Sequence, residues 1–289
     1  MGKIAIATDS NSGITQSEAT ELGIHVIPMP FYSGNKTYYE EIDLSQDEFY
    51  DLLQQGVDIS TSMPIVGEVV DFWEDLLVQN DEILYIPMSS GLSSSCEAAL
   101  LMAKEYEDKV QVVDNQRISV TMRQSVLDAK KLADAGKTAI EIRDFLEKVK
   151  FESSIYIMVD TMTYLKKGGR VTATAATLGT LLKIKPVLQI QGDKLDLYGK
   201  ARSLKLAKAM MCGQLRKDFK ERFDSEDGAK MNIAVAYTKN IAPANEFRDE
   251  LQLLFPDQEI VVRPLSLSIS CHIGPGALAV ACSKKMEYL

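Results

Sequence analysis

Short apolar runs bounded by Asp, Asn, Ser and Gly alternate with segments of helical period along the first half of the chain. Ile4 to Ala7 reads as a buried strand, followed by the turn-prone Thr8-Asp9-Ser10-Asn11-Ser12-Gly13 and a helix opened by Thr15 with Glu18 three residues on. Gly23 ends that helix, and 25–32 returns as an extended segment whose Pro28 and Pro30 suit an edge strand. Ser45 with Glu48 repeats the capping pattern, opening a helix through Gln55 with Phe49, Leu52 and Leu53 on one face. Beyond Ile59-Ser60-Thr61-Ser62-Met63-Pro64 an amphipathic helix is expected from Ile65 to Val78. Strands at Ile83 to Pro87 and Val110 to Asp114 each precede a further helix. This alternation predicts a parallel sheet with flanking helices, whose ligands bind beyond the carboxyl ends of the strands. The loops at those ends, 8–13, 88–95 and 114–115, should therefore converge.

Helices near 119–135 and 138–149 lead to a strand at 155–159, taken as the opening of a second α/β domain. Residues 1–152 are expected to form a Rossmann-like domain, and 153–289 a domain with a mixed sheet and helices. In the second half, a small-residue helix is expected over 172–182 and a hairpin over 187–198, turning at Gly192-Asp193. A basic helix over 203–223 and strands at 231–238 and 259–263 follow, before His272-Ile273-Gly274-Pro275-Gly276.

Composition narrows the function classes. The 289 residues are 46% hydrophobic and 25% charged, enough for two buried cores. A net charge of −9 argues against nucleic acid as a partner, and no apolar stretch approaches a membrane span. Asp9 arrives too early for a signal peptide. A cytoplasmic protein that is not integral to a membrane is expected. Cys96, Cys212, Cys271 and Cys282 lack C-x-x-C spacing, so neither a disulfide framework nor a metal site is expected.

Candidate chemistry concentrates in Ser89-Ser90-Gly91-Leu92-Ser93-Ser94-Ser95, between a strand and a helix. The first turn of a helix offers unpaired N–H groups and partial positive charge, and serines add short neutral donors, so an anion suits the place. The alternative is one serine as N-cap and the rest as turn formers. Thr61 and Ser62 carry the same two readings, anion donors or a helix cap, and Asp9 either holds a ligand loop or makes an Asx turn. His272 is either a donor or base at a ligand or a local hydrogen-bonding residue, while His25 is expected to be structural. Gly168-Gly169-Arg170 offers a fork-shaped cation, or else a helix C-terminus with Lys166 and Lys167 facing the dipole. Arg202 is a ligand contact or a surface charge. The chain has no P-loop, no G-x-G-x-x-G and no G-x-S-x-G elbow. A Ser93/His272 pair nevertheless keeps a serine esterase or thioesterase as the enzyme alternative.

In order and spacing, Thr8-Asp9-Ser10, Thr61-Ser62-Met63-Pro64, Ser89-Ser90-Gly91-Leu92-Ser93, Gly168-Gly169-Arg170, Lys185-Pro186, Gly199 with Arg202, and His272-Ile273-Gly274-Pro275-Gly276 resemble the DegV family. These are fatty-acid-binding proteins that act as acyl-carrying subunits of bacterial fatty acid kinase. The resemblance implies two α/β domains enclosing a long-chain fatty acid, its carboxylate held by Thr61 and Ser93 with Ser62 and Ser94 as neighbours. It implies His272 and Arg202 as further headgroup or gate contacts, and Arg170 as a docking residue for the separate ATP-dependent kinase subunit. No catalytic residue and no cofactor besides the bound fatty acid is expected. Two positions depart from the family: its first motif usually continues to an Asp where Gly13 stands, and its second ends Ser-Gly-Thr where this chain has Ser93-Ser94-Ser95. Burying an acyl chain is worth roughly 0.8 kcal/mol per CH₂. Met158, Leu165, Leu178 and Leu188 are candidates to line it and equally good ordinary core.

Overall fold

A computed structural model describes residues 2–176, 184–192 and 194–288. The chain groups into two compact units, residues 1–49 with 56–150, and residues 50–55 with 151–289.

The first unit begins with β1 (Ile4–Asp9), α1 (Gln16–Leu22), β2 (His25–Ile27), β3 (Pro30–Ser33) and β4 (Lys36–Tyr39). It continues through the first residues of α2 (Gln46–Gln54) to β5 (Ile59–Thr61), α3 (Val66–Leu77), β6 (Glu82–Ile86) and α4 (Ser95–Ala103). β7 (Val110–Val112), α5 (Ser119–Asp134) and α6 (Ala139–Lys148) complete it. Strands β2-β1-β6-β7 form the expected parallel sheet. Alternation along the strands divides its core. Ala5, Ala7, Ile83 and Tyr85 pack with Trp73 and Val69 of α3 on one face. Ile6, Leu84 and Ile86 pack with Val126 of α5 and Ile142 of α6 on the other. Thr15 and Glu18 make the reciprocal capping bonds read from the sequence, and Gly23 closes α1 in the left-handed region at φ 64°. A second, antiparallel sheet, β4-β3-β5, was not expected. Its strands are three or four residues long, and β4 is half exposed, so their apolar pattern is too short to register.

The second unit carries β8 (Ser153–Met158), α7 (Thr163–Gly168), α8 (Ala173–Ala176), β9 (Lys185–Ile190), β10 (Asp196–Ala201) and α9 (Leu204–Glu221). β11 (Met231–Tyr237), α10 (Ala242–Leu254), β12 (Ile260–Pro264), α11 (Leu267–Ile273) and β13 (Leu278–Lys284) follow. Its six strands, ordered β10-β9-β8-β13-β11-β12, form the expected mixed sheet, antiparallel except for β11 with β12. β13 lies between β8 and β11 and was missed in the sequence. It is buried on both faces and rich in small residues, so it shows no polar alternation. Phe219 of α9 and Phe247 of α10 anchor the core against Tyr156, Val235 and Val280. Of the candidate tunnel residues, Met158, Leu165 and Leu188 are buried, while Leu178, like 177–182 of the expected small-residue helix and Asp193 of the hairpin turn, lies outside the described residues. Among the described residues no helix is long and apolar enough to cross a membrane.

Candidate functional site

In the first sheet the chain passes from β1 to β2 on one side, while β6 on the other side is followed by β7. β1 and β6 therefore flank the point where strand order reverses, and the loops after them are where this architecture places ligands. One loop carries Asp9 and Ser10, the other Met88 to Ser94.

The capping alternative fails for Thr61, whereas in the 89–95 segment one serine does stand at the helix N-cap and others make turn bonds. The N-cap of α3 is Ile65, with no side-chain capping bond, so Thr61 does not cap that helix. It ends β5 instead, half-buried, opposite Phe31 of β3. Ser94 occupies the N-cap of α4, again without a side-chain capping bond. The Ser95 hydroxyl at the start of the same helix is buried without a hydrogen-bond partner. Ser62 and Ser94 are exposed and Ser93 is half-buried. Ser93 Oγ accepts from the N–H of Ser95 at 3.2 Å.

The loop after β6 is internally organised around Ser89. Its carbonyl accepts from the N–H groups of Leu92 and Ser93 at 3.0 and 3.1 Å, its Oγ accepts from Gly91, and its own N–H donates to the Arg117 carbonyl. Asp9, wholly buried, forms the Asx turn read from the sequence: Oδ1 accepts from the backbone and side-chain nitrogens of Asn11 at 2.9 and 2.8 Å. Sequence reasoning missed that Oδ2 also accepts from the Met88 N–H at 2.8 Å, a bond spanning 79 residues. Burial pushes the Asp9 carboxyl up to about 6, against the opposing effect of these three hydrogen bonds. Gly13, the departure from the family pattern, closes this turn at φ 68°.

In the second unit, His272 occupies the last turn of α11, beside α7. Three glycines make that packing possible. A Cβ on Gly168 would stand 2.2 Å from Nδ1 of His272, one on Gly274 2.3 Å from Cδ2 of Tyr164, and one on Gly276 2.3 Å from Oδ2 of Asp160. Gly169 ends α7 in the left-handed region at φ 69°, so the helix C-terminus reading of Gly168-Gly169 holds. Arg170 folds back to donate from Nη1 to the Gly168 carbonyl, close enough to His272 to act on its charge. Burial first, and Arg170 second, lower His272 to about 4, so it is neutral near pH 7. Lys185 pairs with Asp160. Arg202 is exposed, one residue before Ser203, the N-cap of α9. None of the four cysteines is in a disulfide; Cys96, Cys271 and Cys282 are buried and Cys212 is half-buried.

A parallel sheet with hydroxyl-rich loops at its switch point, and a mixed sheet bearing a glycine-packed histidine, define an α/β protein in which both of these sheets are flanked by helices. Among the described residues no cluster of side chains suits a metal ion. The chain belongs to the DegV family, whose model, described as "Uncharacterised protein, DegV family", matches residues 3–285. A DegV domain-containing protein of Deinococcus radiodurans is 30% identical over 282 residues, covering 96% of this chain and 97% of that one. Two solved structures share the fold end to end. DegV, a fatty acid binding protein from Bacillus subtilis, is 29% identical with a TM-score of 0.86, over 99% of this chain and 100% of that one. A DegV family protein from Thermus thermophilus, described for its fatty acid binding, is 26% identical with a TM-score of 0.86, over 98% of this chain and 99% of that one.

Proposed function

We propose that this protein is a carrier of long-chain fatty acid, without catalysis or cofactor of its own, that presents the carboxylate to a separate ATP-dependent kinase subunit for phosphorylation to an acyl phosphate. The observation that carries the reading is the end-to-end likeness to the two fatty-acid-binding DegV structures, at 26% and 29% identity. The chemistry of the loops supports it. Thr61 and Ser93, with Ser62 and Ser94, supply neutral donors, and neither 59–64 nor 87–96 contains Lys or Arg. A carboxylate accepts several hydrogen bonds and is satisfied by hydroxyls, whereas a polyphosphate calls for cations. His272, neutral near pH 7, suits a hydrogen-bonding role over an ionic one, and Arg202 is an exposed cation for a headgroup or gate contact. Arg170, half-buried on its helix terminus, is the residue assigned to kinase docking.

Mass spectrometry of denatured protein purified from a bacterial host tests the reading: a stoichiometric fatty acid is expected. The pair Thr61→Ala with Ser93→Ala should lose most of this loading with the fold intact, and Arg170→Glu should keep the loading but lower kinase-dependent acyl phosphate formation. Delipidated protein that takes up no long-chain fatty acid would refute the carrier role. Turnover of acyl esters without ATP or a partner would favour the esterase alternative.

A further inference from the structure

We infer that Asp9 and Ser10 are a pair of positioning residues that fasten both hydroxyl segments, 89–95 and the end of β5, to one loop, so that their donors meet a single carboxylate headgroup. The inference rests on the fatty-acid reading above and adds to it what holds the site in shape.

The two residues reach in different directions. An Asx turn needs only Oδ1 of Asp9, already occupied by Asn11, and an asparagine would serve it as well. The bond from the Met88 N–H to Oδ2 is surplus to the turn, and it fixes the residue immediately before Ser89. Accepting with both oxygens at once requires the carboxylate, because an amide would turn an NH₂ toward one of the N–H donors. Ser10 acts on the other segment. Its Oγ accepts from the Met29 N–H at 3.1 Å, which fixes the entry to β3. From there Pro30 accepts from the Ser62 N–H, and Phe31 pairs with Thr61. Thr8 completes the seam, its hydroxyl donating to the Ile86 carbonyl at 2.8 Å. Consecutive residues at the end of one strand thus hold segments that begin about 20 and 80 positions away, judged from those two bonds.

Asp9 is also retained as a buried anion whose ionised form is disfavoured by the fold. A carboxylate kept at such a cost fits a group selected for site geometry over stability.

The test uses the full chain, delipidated, with oleate as the probe. Affinity by isothermal titration, melting temperature and amide hydrogen exchange are compared in the parent, Asp9→Asn, Ser10→Ala and the core control Ile142→Val. Asp9→Asn should weaken oleate binding roughly tenfold or more, the loss expected for one charge-assisted contact. It should speed exchange over 88–95 without lowering the melting temperature at pH 8. Ser10→Ala should speed exchange over 29–33 and 59–62 and weaken binding severalfold. Ile142→Val should lower the melting temperature and leave the affinity alone, which separates positioning from plain stability. Parent-like affinity in Asp9→Asn and Ser10→Ala, or unchanged exchange over 88–95 in Asp9→Asn, overturns the inference. Parent protein that binds no oleate sinks the carrier reading instead, and the exchange arm then decides the fastening alone. If Asp9→Asn does not fold, Ser10→Ala decides on its own segments.

Discussion

Replacing Asp9 by Asn should flatten one component of the pH dependence of stability. The carboxyl titrates at about 6 in the fold against 3.8 as its ordinary value, so the folded chain holds this proton more tightly than the unfolded chain. Its contribution is fully present below pH 3.8 and is lost as the pH rises through about 6. Each pH unit inside that window is worth about 1.4 kcal/mol, so between pH 8 and pH 5 the parent gains about 1.4 kcal/mol from Asp9 alone, and Asp9→Asn gains none of it. Other carboxylates titrate alike in both proteins and cancel in the difference. The chain supplies its own local probe, because its one tryptophan, Trp73, packs edge-on against Tyr85 and Tyr106 in the same unit as Asp9. Urea titrations followed by Trp73 fluorescence at pH 5, 6, 7 and 8 give the two curves. Converging curves, with the parent losing ground as the pH rises, are expected. Parallel curves would refute the reasoning, since they would mean that burial does not raise the Asp9 carboxyl above its ordinary value in solution.

Gly274→Ala should destabilise the second unit by roughly 2–4 kcal/mol, seen as a lower urea midpoint by far-ultraviolet circular dichroism: Gly274 sits at φ 79° and ψ 174°, which favours glycine, and its Cβ would strike Tyr164. His272→Gln should hold fatty acid within a few fold of the parent and His272→Ala should lose roughly tenfold, because a side chain neutral near pH 7 contributes a hydrogen bond and not a charge. For the same reason, stability carried by His272 should fall as the pH drops from 6.5 toward about 4, opposite in sign to Asp9, and His272→Gln should remove that slope.

Much of this fold was legible because its elements advertise themselves locally. Thr15 with Glu18, Gly23 and the buried runs of β1 and β6 mark a parallel sheet by local pattern alone. What stayed hidden depends on partners remote in sequence. β13 carries no alternation because both its faces are covered, and the β4-β3-β5 sheet is made of strands too short to show a period. The hydroxyl segments were readable as polar punctuation at strand ends, yet spacing left cap and ligand donor open for Thr61 and Ser94. The residue at the N-cap of α3 is Ile65, which rules out the cap for Thr61, while Ser94 does stand at the N-cap of α4 without a side-chain bond. Asp9 shows the limit most clearly. Its short-range bonds to Asn11 follow from Asx-turn chemistry, while the bond to Met88 follows from the adjacency of β1 and β6, which no local pattern encodes.

The internal bonding of the 89–95 segment bears on which headgroups the proposed site would accept. Sequence reasoning gave weight to the open N–H groups of a helix start, but the N–H groups of Gly91, Leu92, Ser93 and Ser95 are taken up by oxygens of Ser89 and Ser93 themselves. Those four main-chain donors are therefore engaged within the segment, and its hydroxyls gain weight as ligand donors. Ser93 Oγ already accepts from Ser95, and its own O–H remains a donor. Thr61, held by β3 at the end of β5, offers the same kind of group on a separate segment. Neutral hydroxyls without a Lys or Arg in 59–64 or 87–96 favour a ligand that only accepts, and a carboxylate meets that condition at neutral pH where an alcohol, an amine or an amide meets it in part or not at all.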